Sequence, residues 1–182
     1  MDEIIAKQII GRDCDFMWGR GTVDPGKCPM CGNRIKKVPN LDYANYKLTQ
    51  DLYVTWDCYQ IVSERFRHFC VHRHLEGLKF IKLPKTNGYF YFEPTLIYPL
   101  DNLHTELRFD KFRNCCKQYN WVGGDVKYYG SMKFENERFI RRTVWLLGGG
   151  DIPLIVDLQT ADEMVKEGLK GFYFRDIYYY NP

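Results

Sequence analysis

Apolar residues recur along this chain in short runs broken by glycine, proline or charge, and two segments carry an apolar face at helical spacing between strand-like runs. Those two segments align without a gap at an offset of 94 residues: QIVSERFRHFCVHRHLEGLKFIKL (60–83) and LIVDLQTADEMVKEGLKGFYFRDI (154–177). Identities fall at Ile61/Ile155, Val62/Val156, Val71/Val165, Leu75/Leu169, Gly77/Gly171 and Phe80/Phe174. Each copy opens with a β-branched stretch. Ser63 or Asp157 follows, a side chain able to accept a hydrogen bond from the free amides of a starting helix. Phe66, Phe69, Cys70, Arg73 and Leu75 then predict one apolar helix face, and Ala161, Met164, Val165, Gly168 and Leu169 the other. Gly77 and Gly171 stand where the chain must leave the helix, ahead of the alternating runs LKFIKL and FYFRDI. The predicted unit is strand, helix, strand, present twice.

Further strand-like runs lie between and beside the copies: GYFYFEPTLIYPL (88–100), WVGGDVKYYG (121–130) and RFIRRTVWLL (138–147). Pro94 and Pro99 lack the amide a ladder needs and belong at strand ends or edges. Residues 3–10 and 41–53 fit helix or strand equally. Residues 19–39, with glycines, prolines and two cysteines but weak periodicity, read as an irregular knob that a metal could hold together. The expected fold is α+β in a single domain over 1–182: a mixed, mostly antiparallel sheet, a few helices, two related strand-helix-strand units and a small cysteine-containing knob.

Composition narrows the class. At 182 residues, 45% hydrophobic and 27% charged, the chain can bury one core as a globular protein. An aromatic content of 16% favours sheet and leaves rings for partner contact. The formal net charge of +3 comes without any long block of like charge, so neither a nucleic-acid mimic nor a strongly basic nucleic-acid binder is indicated. MDEIIAKQIIGRD is acidic where a secretory leader is basic, and no apolar run approaches the roughly 18 residues of a membrane span, so a cytoplasmic protein is expected. Seven cysteines, an odd number, fit a reducing compartment with free or metal-bound thiols.

The sharpest chemical signal is KCPMCGN (27–33), a Cys-x-x-Cys-Gly turn that offers Cys28 and Cys31 to one metal and lacks a second copy. Candidate partners are Cys14, Cys58, Cys70, Cys115 and Cys116, with His68, His72, His74 and His104. Cys70 lies on an apolar helix face and suits a buried small hydrophobe. Cys115 and Cys116 lie in a polar turn before a strand, where structural zinc ligands usually sit. The predicted ligand set is therefore Cys28, Cys31 and Cys116, completed by Cys115 or Cys14, around a structural zinc. Cys70 and His74 at i, i+4 would share a helix face but have no orienting carboxylate. GGG at 148–150 lacks a following Lys-Ser/Thr and reads as a turn rather than a phosphate loop. The carboxylates show no spacing suited to acid–base work, so no catalytic residue is assigned. Basic and aromatic residues interleave at RFRHF (65–69) and ENERFIRR (135–142), which leaves a zinc-knuckle module that binds nucleic acid as the alternative.

The run from Trp56 through Ile61–Phe66 to Leu75–Leu83 resembles bacterial immunity proteins of polymorphic toxin systems, in which an Asp- and Trp-containing segment leads to a "vvSerf" helix and a "glkgvefipv" strand. It is similar in particular to the double-CxxCG motif family, which adds an upstream CPxCG and a downstream CxxCG followed by an aromatic and Val-Gly. The upstream motif is intact at Cys28–Gly32. Downstream stand Arg113-Asn114-Cys115-Cys116-Lys117, then Tyr119 and Trp121-Val122-Gly123, so that Arg113 takes the first cysteine position and Lys117 the glycine. Cys115 is left to stand in for the missing ligand. The resemblance covers about residues 28–123. It implies a non-enzymatic protein that binds and neutralises a toxin made by the same bacterium, with a cognate protein toxin as partner.

Overall fold

Glu3–Cys14 forms a twelve-residue strand, β1, whose isoleucines suit a strand flanked on both sides. A computed structural model describes residues 2–19, 21–123, 127–144 and 152–181 of the chain. After β1 and a long irregular segment come β2 (Leu52–Thr55), β3 (Gln60–Ser63), α1 (Glu64–His72), β4 (Leu78–Lys82), β5 (Tyr89–Pro94), β6 (Arg108–Arg113) and β7 (Gln118–Gly123). The chain continues through β8 (Tyr128–Tyr129), β9 (Ile140–Arg142), β10 (Leu154–Val156), α2 (Leu158–Lys166) and β11 (Phe172–Tyr179). Nine strands make one sheet in the order β4-β5-β3-β2-β1-β10-β9, with β11 also on β1 and β8 on β11, while β6 and β7 form a separate two-stranded ribbon. Only β1 with β2 and β11 with β8 pair in parallel among the named strands. The fold is thus α+β with a mixed, mostly antiparallel sheet.

The two aligned segments do take the same form. In the first, β3 and β4 lie on either side of β5, antiparallel to it, and α1 crosses between them. In the second, β10 and β11 flank β1 in the same way and α2 crosses. A strand-helix-strand crossover spans a gap one strand wide, which an antiparallel strand fills. The filler is the next strand in sequence for one unit and the N-terminal strand for the other.

Ser63 Oγ accepts from the Phe66 amide and a carboxylate oxygen of Asp157 from that of Thr160, so both predicted caps close their helices. Gly77 and Gly171 both have positive φ, 66° and 93°, and a Cβ at Gly171 would stand 2.6 Å from the Leu52 carbonyl oxygen. Phe66, Phe69, Cys70 and Leu75 share one core with Ala161, Met164 and Leu169.

Several expectations need correction. α1 ends at His72, and His74 sits beyond it with φ 53°, so Cys70 and His74 do not share a helix face. Arg73 is the C-terminal cap of α1 and pairs with Glu163 and Glu167 at 2.5 and 2.9 Å rather than joining the apolar face. Val165 is exposed, because α2 turns Thr160, Ala161 and Met164 inward, and Gly168 lies past its end with φ 67°. The 88–100 run is strand only to Pro94, where the missing amide ends the ladder; the 121–130 run splits between β7 and β8; and the expected turn at Gly148–Gly150 falls outside the described residues. Residues 3–10 resolve as strand, and 41–51 as turns leading into β2. Among the described residues no helix is long and apolar enough to cross a membrane.

Alternation along β3 and β5 sorts the core by chemistry. Val62, Phe90 and Phe92 point to the helix side, while Ile61, Tyr89 and Tyr91 point to the other, where Met17, Tyr43, Leu48 and Tyr59 cover them. A face covered by irregular chain meets many backbone polar groups, and tyrosine suits it because its hydroxyl can partner them: Tyr89 donates to the Gln50 carbonyl at 3.0 Å.

Asp157 does more than cap, since its second oxygen accepts the buried Phe139 amide at 2.7 Å. Asp157→Ala is expected to lower the unfolding free energy by about 2–3 kcal/mol, the lost cap plus one orphaned amide. Asp157→Ser should lose less by retaining the cap. Urea denaturation of both variants checks the order, and an alanine variant within about 0.5 kcal/mol of wild type would contradict it.

Candidate metal centre

The cysteine knob meets the tyrosine-lined core at Tyr59. Within it, Lys27 and Arg34 bridge in antiparallel fashion, the Cys28 amide donates to the Asn33 carbonyl at 2.7 Å and the Gly32 amide to the Cys28 carbonyl at 2.8 Å. Gly32 has φ 74°, the left-handed turn that follows the second cysteine. The knob is fastened through Arg34, whose buried guanidinium pairs with buried Asp24 at 3.0 Å and lies 4.6 Å from the centre of the Tyr59 ring. Arg34 also donates to the Tyr59 hydroxyl and, at 2.9 Å, to the Asp57 carbonyl. Charges removed from water this way are tolerated only when fully paired and bonded, so this network sets the knob's position sharply.

The second pair of thiols comes from the ribbon. Cys115 and Cys116 stand in the turn joining β6 to β7, and Lys117 after them takes φ 55°, the conformation that Gly32 adopts in the knob. A lysine there carries strain of about 1–2 kcal/mol that glycine would not. Cys28 Sγ is 4.0 Å from Cys115 Sγ, Cys31 Sγ is 3.7 Å from Cys116 Sγ, and the four sulfurs all lie within 4.8 Å of one another. All four are free thiols, too far apart for disulfides. A tetrahedral cation with metal–sulfur bonds of about 2.3 Å would hold its sulfurs about 3.8 Å apart, so the cluster needs only slight contraction to take a metal ion. Asn33 Nδ2, donating to the Tyr119 carbonyl at 3.2 Å, ties knob and ribbon beside the sulfurs.

All four cysteines of the predicted ligand set thus meet, and the choice for the last place falls on Cys115. Cys14, the other candidate, ends β1 with its sulfur 3.8 Å from the Tyr43 hydroxyl, and burial pushes its thiol up to about 12. Cys70 is buried in the core as expected. His68 lies beside Glu64 at 2.7 Å, and His104 stacks on Tyr180 at 3.9 Å with Nδ1 2.7 Å from Asp101. Arg113, in the first cysteine position of the worn motif, donates across the ribbon to Asn120 at 3.1 Å. The basic–aromatic runs singled out from sequence are engaged within the chain: Arg67 pairs with Glu64, Arg138 with Glu163 and Arg141 with Glu137.

Comparison with protein families, with curated proteins and with solved structures found no match. Sequence reasoning missed β6 and, with it, an aromatic ribbon: Phe109, Phe112, Tyr119 and Trp121 are between 37% and 51% exposed. The signal was present in RFDKFR and QYNWVG, two runs rich in aromatics flanking the polar turn NCCK.

The thiols are unequal. The nearby Asn33 backbone amide favours the Cys31 thiolate and lowers its pKa to about 7. The neighbouring Cys31 and burial push Cys115 up to about 12, and Cys116 is raised by burial and by the same neighbour. Near neutral pH a metal must therefore displace at least the protons of Cys115 and Cys116, and acid opposes binding. In a Co2+ titration against a chelator of known proton affinity, the apparent Kd is expected to rise at least about 100-fold from pH 7.5 to 6.5. A change below about tenfold would show that these thiols are not the ligands.

Proposed function

We propose that the four cysteines hold a structural zinc and that the protein is a non-enzymatic binding protein, which neutralises a bacterial toxin in the cytoplasm of the cell that makes it. The observation that carries this reading is the closure of the cluster. Four thiolates from two separate segments would complete a tetrahedral cation's coordination, lower its Lewis acidity and leave no position for a substrate. Such a centre builds a surface rather than performing a reaction. Four soft sulfurs in tetrahedral array suit zinc or iron, and elemental analysis with the visible spectrum separates the two. The reducing cytoplasm suits thiols that must stay unpaired by disulfides.

Toxin neutralisation rests on the resemblance carried by residues 28–123. That stretch runs from the knuckle through β3, α1 and β4 to the ribbon, so the segments bearing the resemblance include both arms of the clasp. A zinc-knuckle module for nucleic acid is the second reading, favoured by the basic character of the ribbon taken up below. Where a toxin-domain gene adjoins this one, co-expression of the wild-type chain is expected to restore growth to cells producing that domain. Cells that die at the same rate with and without soluble, metal-loaded protein would exclude neutralisation.

A further inference from the structure

The geometry points to the β6–β7 ribbon as the docking face, and to an acidic protein surface as what docks there; this rests on reading the protein as a neutraliser of another protein. The ribbon stands outside the nine-stranded sheet, so neither of its faces is required to complete that sheet. Phe109 and Phe112 each pack against Tyr119, with ring centres 5.0 and 5.2 Å apart, into one half-exposed apolar knob. Aromatic knobs of this kind anchor protein interfaces.

Charge selects the partner. Arg108, Lys111, Arg113 and Lys117 against the single Asp110 give residues 108–123 a formal net +3, of which a tetrathiolate metal centre would offset part at the turn. That equals the formal net charge of the whole chain, so all other residues together balance to zero. An excess of positive charge concentrated on one projecting element complements an acidic face and speeds encounter with it.

Nucleic acid would meet the same charge, but it needs open ring faces on which bases stack. Here Phe109 and Phe112 meet Tyr119 at 54° and 69°, so the cluster presents no platform of parallel rings. The Trp121 ring lies so close over Gly123 that a side chain there would overlap it. What remains is a cluster of half-exposed rings on a ribbon that also carries four cations, a combination that suits a protein face lined with carboxylates.

The test measures, by calorimetry, binding of a toxin domain against which co-expression of the chain protects cells, with metal content determined for each preparation. R108E/K111E reverses the charge of the ribbon, Phe112→Ala removes part of the knob, and K79E/K82E makes the same charge change on exposed positions of β4. The ribbon pair should weaken binding by about 100-fold or more and Phe112→Ala by about tenfold, with the β4 pair within about threefold of wild type. Ribbon variants that keep their metal and bind within threefold of wild type would overturn the docking face while leaving neutralisation standing. Wild-type protein that does not bind the toxin domain at all would overturn both. Tighter binding of a single-stranded oligonucleotide than of the toxin domain, lost in R108E/K111E, would replace the acidic protein with nucleic acid.

Discussion

Four sulfurs within 4.8 Å of one another join two parts of the chain that the main sheet leaves separate. Beyond that junction, Asn33 ties the knob to the ribbon by donating to the Tyr119 carbonyl. A two-stranded hairpin alone is marginal in water. A cation bound by all four thiolates would convert this loose approach into a fixed one, because ligand geometry constrains both turns at once. The presentation of the aromatic knob depends on it.

Beneath the clasp, the sheet divides its labour by side. Phenylalanines along β5 meet the two helices in a dry core, while tyrosines on the alternate positions meet irregular chain whose backbone carbonyls and charged groups need partners. Tyr59 links the levels: its ring is fully buried against Tyr91, and its hydroxyl meets Asp24 and Arg34 at the root of the knob. Position is thus handed from a regular sheet to an irregular knob, and from the knob to the ribbon.

Local signals were legible where they act locally. Ser63 and Asp157 declare helix starts because a cap needs only its own next three residues, and Gly77 and Gly171 declare helix exits because φ is a property of one residue. Cys28 and Cys31 declare a metal turn for the same reason. What stayed hidden was pairing at a distance. β1 looked ambiguous because both of its outer neighbours, β10 and β11, come from the far end of the chain and permit apolar residues on both faces. Cys115 and Cys14 could not be ranked from spacing, because only the path of β6 and β7 brings one of them across to the knuckle. The charge of the ribbon is not evident in the sequence because its four cations, spread over ten residues among aromatic and polar ones, form no continuous block.

The measurement closest to the central claim is hydrogen–deuterium exchange with and without metal, followed residue by residue. Removal of the metal should speed exchange across residues 108–123 and 27–34, while amides of β1, β3, β5 and β11 keep their protection. Ribbon amides equally protected in both states would contradict a clasp held by metal, and a sheet that unfolded together with the ribbon would contradict the separation of the two.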